Sequence, residues 1–126
     1  MAPDVPRLIE GMEEARRSGL ARALFCVRLL ELSGAATPEG RLSFLIGAFI
    51  GADLERLHAS GALAPAAPVT IAGDEKVGGA WGIALDRAGS PVLGLSSAET
   101  EAGFLAGLSA LVAARGPQPG TTPSVG

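Results

Sequence analysis

Val69-Thr70-Ile71-Ala72-Gly73-Asp74 is the stretch on which the fold turns. Its first four residues are apolar or β-branched and follow an Ala/Pro/Gly loop over 60–68, so they read as a short buried strand. Gly73-Asp74 then reads as the turn that leaves it. Downstream, Val77, Ala80, Trp81, Ala84 and Leu85 recur at helical spacing, which predicts a helix over 75–87 with those residues facing inward. Ala88-Gly89-Ser90 closes that helix, and Pro91 to Leu95 reads as a second short strand. Two strands joined by a helix usually pair in parallel, so a small parallel sheet is expected here, with its faces covered by helices.

After the second strand, Ser96 and Glu99 form the spacing of a capping box. The helix they start is predicted to run to about Arg115 with Phe104, Leu105, Leu108, Leu111 and Val112 inward. Residues 116–126 are rich in Gly, Pro, Thr and Ser and are expected to form a flexible tail. Upstream of the loop lie three helical segments. Asp4 caps the first, over 5–18, with Val5, Leu8, Ile9, Met12 and Ala15 on one face. The second, over 20–32, is dense in Leu, Phe and Val. Thr37-Pro38-Glu39 starts the third, which runs to about Ala59 and is apolar nearly all round. That pattern predicts burial on several sides, by the other N-terminal helices and by one face of the sheet. The predicted fold is therefore α/β and helix-rich, in the order α-α-α-β-α-β-α, with 1–115 as one unit.

Composition narrows the function. The chain has 126 residues, 48% of them hydrophobic and 18% charged, which suits one domain with an aliphatic core. A net charge of −3 and the lack of a Lys/Arg cluster disfavour nucleic acid as a partner. The apolar run 42–54 is shorter than the roughly 20 residues that span a bilayer, so no membrane partner is expected. Residues 1–10 lack the pattern of a signal peptide. The single cysteine, Cys26, sits in an apolar run, reads as a small buried hydrophobe and fits a reducing cytoplasm.

Chemistry-bearing motifs are scarce: the sequence has no GxxxxGK[ST] loop, no GxGxxG after a strand, no HExxH and no GxSxG. His58, the one histidine, falls near the polar end of a helix, where exposure is expected. The most informative element is again the strand end. A glycine there lets a ligand approach the backbone, and ligands of open α/β sheets bind at such ends. Asp74 is either the cap of the next helix or a contact for a ribose or purine edge, since its charge repels phosphate. Gly47 and Gly51 lie one turn apart, each costing about 1 kcal/mol of helix propensity relative to Ala. Either another element or a ligand must therefore come close to that face.

Taken in order, these landmarks resemble the C-terminal half of 2-dehydro-3-deoxygalactonokinases. They are Leu24-Phe25-Cys26-Val27-Arg28, the Pro-started helix with Leu45-Ile46-Gly47-Ala48-Phe49-Ile50-Gly51-Ala52-Asp53, the strand end Val69 to Gly73, and the closing helix with Ala102 to Leu108. The resemblance covers about Asp4 to Ala114, and departs from the family pattern at Asp74 and Asp53 and in the distance from Gly73 to Trp81. It implies an RNase H-like kinase lobe on the nucleotide side, of which 1–115 would be a fragment. The implied reaction is transfer of the γ-phosphoryl of ATP, with Mg2+, to the 6-hydroxyl of 2-dehydro-3-deoxygalactonate. The implied nucleotide contacts are Ala72, Gly73, Asp74, Val77 and Gly47. Arg28 corresponds to an Arg that reaches substrate or phosphate, or holds an internal carboxylate. No position matches the family's phosphate loops, so the chain alone is expected to be inactive. Its implied partners are the missing N-terminal lobe or a second copy. The alternative reading is a stand-alone, non-catalytic α/β binding or interaction domain.

Overall fold

The computed structural model describes residues 2–116; the greater part of the expected tail, residues 117–126, lies outside them. The elements are α1 (Val5–Ser18), α2 (Leu20–Ser33), α3 (Pro38–Ala59), β1 (Val69–Ile71), α4 (Glu75–Arg87), β2 (Val92–Gly94) and α5 (Ser97–Arg115), in the order the sequence predicts. Local chemistry sets most helix starts. The side chains of Asp4, Thr37, Asp74 and Ser96 accept hydrogen bonds from the first free backbone N–H groups of α1, α3, α4 and α5. The capping box at Ser96 and Glu99 is complete in both directions.

α1 and α3 form the centre of the molecule, and they touch backbone to backbone. A Cβ on Gly47 would stand 2.0 Å from the Leu8 carbonyl oxygen, one on Gly51 2.7 Å from that of Met12, and one on Gly11 2.0 Å from that of Phe44. Leu8 faces Gly47 and Met12 faces Gly51, so the two helices run parallel. The Asp4 backbone N–H donates to Ser43 Oγ at 2.9 Å and fixes their relative height. The return path between them is α2, whose one buried residue is Ala23.

The main core gathers Leu8 and Met12 of α1, Ile50 and Leu54 of α3, and Ala80, Ala84 and Leu85 of α4. Val69 and Ile71 of β1 pack against its edge. β1 and β2 pair in parallel, with Val69 opposite Val92, Thr70 opposite Leu93 and Ile71 opposite Gly94. α4 packs against both strands, so it covers the sheet, and the N-terminal helices lie behind it rather than on the strands as expected.

Several burial expectations fail. On α3, Leu42 and Phe49 are exposed, because the helix buries only the faces turned to α1, α2 and α4. Val77 is exposed, although α4 buries Ala80, Ala84 and Leu85 as predicted. Cys26 is only half-buried, on the thinly packed α2. His58 is half-buried rather than exposed, and its Nε2 is buried without a partner among the described residues. The largest departure is α5: Phe104, Leu105, Leu108, Leu111 and Val112 are all exposed, and no residue of this helix is buried. They share one side of the helix, while Ala and Gly make up most of its other sides, and no element of the body reaches that apolar side.

Candidate functional site

The carboxyl ends of β1 and β2 open into a cleft of about 490 Å³. Ile71 lines it from β1 and Gly73 from the turn after it, Val92 and Gly94 from β2, and Glu75, Gly78, Gly79 and Gly82 from α4. Gly73 has φ +133°, a conformation that side-chain-bearing residues rarely adopt, and no atom stands within 4 Å of where its Cβ would be. The strand end is thus unplugged. The adjoining side of α4 is stripped as well: added Cβ atoms at Gly79 and Gly82 would meet nothing within 4 Å, and one at Gly78 would meet only the Ile71 side chain, at 3.2 Å. A planar group can therefore lie against the backbone of α4.

Two helix N-termini meet beside this cleft, and each already holds a carboxylate. Asp74 Oδ1 accepts from the Lys76 and Val77 N–H groups at 3.0 and 3.1 Å. Glu99 accepts from the Ser96 N–H at 2.7 Å. That hydrogen bond, with help from the Ser96 side chain, holds the Glu99 carboxyl below the usual Glu range. Glu75 Oε1 accepts from the Ser97 N–H at 3.0 Å and ties the start of α5 to α4. Helix N-termini ordinarily attract anions such as phosphate. Here the chain's own carboxylates fill that role, and their charge repels a second anion.

The residues implied as nucleotide contacts do not all come together. Gly73 and Asp74 line the cleft, with Asp74 engaged as the helix cap. Ala72 is exposed beside it. Val77 lines a separate slot of about 230 Å³ on the other flank of α4, with Leu42, Ile46 and Lys76. Gly47 has no free face to offer a ligand, because the missing side chain is what admits the Leu8 carbonyl. Arg28 lies on α2 and pairs with Glu31 at 2.5 Å on an exposed surface, away from the cleft. The glycine-lined wall at Gly78, Gly79 and Gly82 was missed by sequence reasoning, although three glycines within one and a half turns of a helix were its visible signal.

Among the described residues, no group of three or more His, Cys, Asp or Glu side chains converges to hold a metal ion. The charged side chains that line the cleft are the carboxylates of Asp74, Glu75 and Glu99. Among the described residues, no helix is long and apolar enough to cross a membrane. A larger groove, about 900 Å³, separates α1 from α2 and is lined by Ile9, Cys26, Leu29 and Leu30 with Glu13 and Arg87 at its rim, without a comparable strand end.

The family model described as 2-keto-3-deoxy-galactonokinase matches residues 3–111. Comparison with curated proteins and with solved structures returned no match.

Proposed function

The chain belongs to the 2-keto-3-deoxy-galactonokinase family, and from that premise we propose that it supplies the nucleoside side of a sugar-acid kinase. The complete reaction is transfer of the ATP γ-phosphoryl to the 6-hydroxyl of 2-dehydro-3-deoxygalactonate, in the cytoplasm. The observation that carries this reading is the open strand end at Gly73, with the glycine-lined wall of α4 beside it. A purine and its ribose rest against Gly78, Gly79 and Gly82, with the backbone of residues 72–73 at their edge. Phosphoryl transfer depends on positioning and on neutralising phosphate charge. The groups bordering this cleft are Asp74, Glu75 and Glu99, so neutralisation has to come from elsewhere, and the chain alone does not turn over.

The test combines binding and turnover. Adenosine should shift the backbone amide resonances of Gly73, Gly79 and Gly82, and Mg-ATP should bind no more tightly than adenosine. A coupled assay with ATP and the keto-deoxy acid should show no phosphorylation. Magnesium-dependent turnover by the purified chain would refute the inactive-part reading; undisturbed glycine amides would refute the nucleoside site. The alternative, a non-catalytic binding or interaction domain, draws support from the carboxylates already seated on both helix N-termini. It predicts that no nucleoside binds.

A further inference from the structure

α5 leaves the sheet as an arm. It is a 19-residue helix with no buried residue, joined to β2 through Leu95 and Ser96. Two hydrogen bonds tie its first turn to α4: Glu75 Oε1 accepts from the Ser97 N–H at 3.0 Å and from the Ser97 hydroxyl at 3.3 Å. Beyond that turn its large side chains stand in solvent, Phe104 at 65% exposed and Leu108 at 45%.

The side of α5 that is tied to α4 is the side that carries them. Glu101, Phe104 and Leu108 follow Ser97 at i+4, i+7 and i+11, on one face of the helix. That face starts on α4 and parts from it because the helix axis diverges. Alongside lies the glycine-lined wall of α4, where Cβ atoms added at Gly79 and Gly82 would meet nothing within 4 Å. The lengths agree as well. Both helices start from the carboxyl end of the parallel sheet, so an α5 turned back onto the body runs beside α4. Gly82 lies seven residues beyond Glu75 and Phe104 seven beyond Ser97, each about 10 Å along its helix. Val92, three residues before Leu95, lies about 10 Å down β2. A phenyl ring, a glycine and a partly open strand residue thus share one depth.

We propose that α5 is a lid. Pivoting at Leu95–Ser96 about the Glu75–Ser97 tie, it closes along α4 and seats Phe104 on Gly82, inside the strand-end cleft. Closure and a purine exclude each other there; that consequence, unlike closure itself, rests on the nucleoside reading of the cleft. Charge sets the balance between the two positions. Closing carries Glu101 to a rim that already holds Asp74, Glu75 and Glu99, so like charges oppose it and salt favours it.

Disulfide trapping tests closure on the whole chain, in a Cys26→Ser background with oxidised glutathione. Gly82→Cys with Phe104→Cys should cross-link within one chain, about tenfold faster than Gly82→Cys with Ala102→Cys, because Ala102 lies on the far side of α5. High salt should speed the first reaction and adenosine should slow it. Equal rates for the two pairs, or cross-links only between chains, would overturn the lid. A second measurement keeps Phe104 in place: Overhauser contacts between its ring and the Gly82 α-protons should appear in the unaltered chain at high salt, and their absence would also overturn it. A cross-link that forms and ignores adenosine would uphold closure and remove the nucleoside reading instead.

Discussion

Replacing Gly47 by Ala tests the central packing more sharply than any large-to-small change. The added Cβ would stand 2.0 Å from the Leu8 carbonyl oxygen, whereas ordinary contact begins near 3.4 Å, so α1 and α3 must part by about 1.4 Å (3.4 − 2.0). Both neighbours are helix backbone, which cannot swing aside as a side chain end does. Separation loosens Leu8, Met12, Ile50 and Leu54 together, since all four belong to one cluster across that seam. Overpacking of this kind costs about 1–3 kcal/mol or more. Ala gains back about 1 kcal/mol of helix propensity. Because the obstruction is backbone, the upper end applies, and a net loss of about 2 kcal/mol is expected. The internal control is Gly82→Ala, also within a helix but with nothing within 4 Å of the new methyl, which should stabilise by up to about 1 kcal/mol. Urea unfolding followed by circular dichroism at 222 nm measures both, as opposite shifts in midpoint at constant slope. If Gly47→Ala left the midpoint unmoved or raised it, the backbone contact between α1 and α3 would not exist as described.

Gly82→Ala should also weaken adenosine binding although it stabilises the fold, because its methyl intrudes on the cleft wall; titration calorimetry on the same two proteins shows whether the effects separate. Asp74→Ala should cost about 1 kcal/mol through loss of the cap, while Asp74→Ser keeps the cap and, by removing a charge beside the cleft, should tighten ATP relative to adenosine. For Glu99, whose folded-state pKa is depressed, the cap contributes above the ordinary Glu range and is lost as pH falls through the lowered value. Protection factors of the amides at the start of α5, corrected for the intrinsic pH dependence of exchange, should therefore fall on acidification below that range, and Glu99→Gln should abolish this pH dependence. Arg28→Ala should change stability by less than about 0.5 kcal/mol, as expected for an exposed ion pair; a larger loss in thermal melts would mean that α2 depends on the Glu31 contact.

The element order was legible because its signals are local. Asp4, Thr37-Pro38, Asp74 and the Ser96–Glu99 box act within one turn of the residues they cap, so the helix starts could be read residue by residue. The strand pair was legible for the same reason, its ends being marked by glycine and proline. Direction of burial was not. Val77 carries the same apolar spacing as Ala84, yet one faces an open slot and the other the core, and only the position of α3 decides between them. On α5 the large side chains share one face, as the spacing predicts, yet no described element covers that face. At the candidate site, Gly73 announced an open strand end, while Gly47 offered two readings, a close neighbour or a ligand, and resolves as the first.

The parallel seam between α1 and α3 also governs how this chain can change. Contact there is made by carbonyl groups, which every amino acid shares, so aliphatic residues along its margins are interchangeable within limits of volume. Positions 11, 47 and 51 have no such latitude. A saturation library selected for folding should therefore tolerate wide exchange at Leu8, Met12, Ile50 and Leu54 among Leu, Ile, Met and Val, and admit almost nothing but glycine at those three.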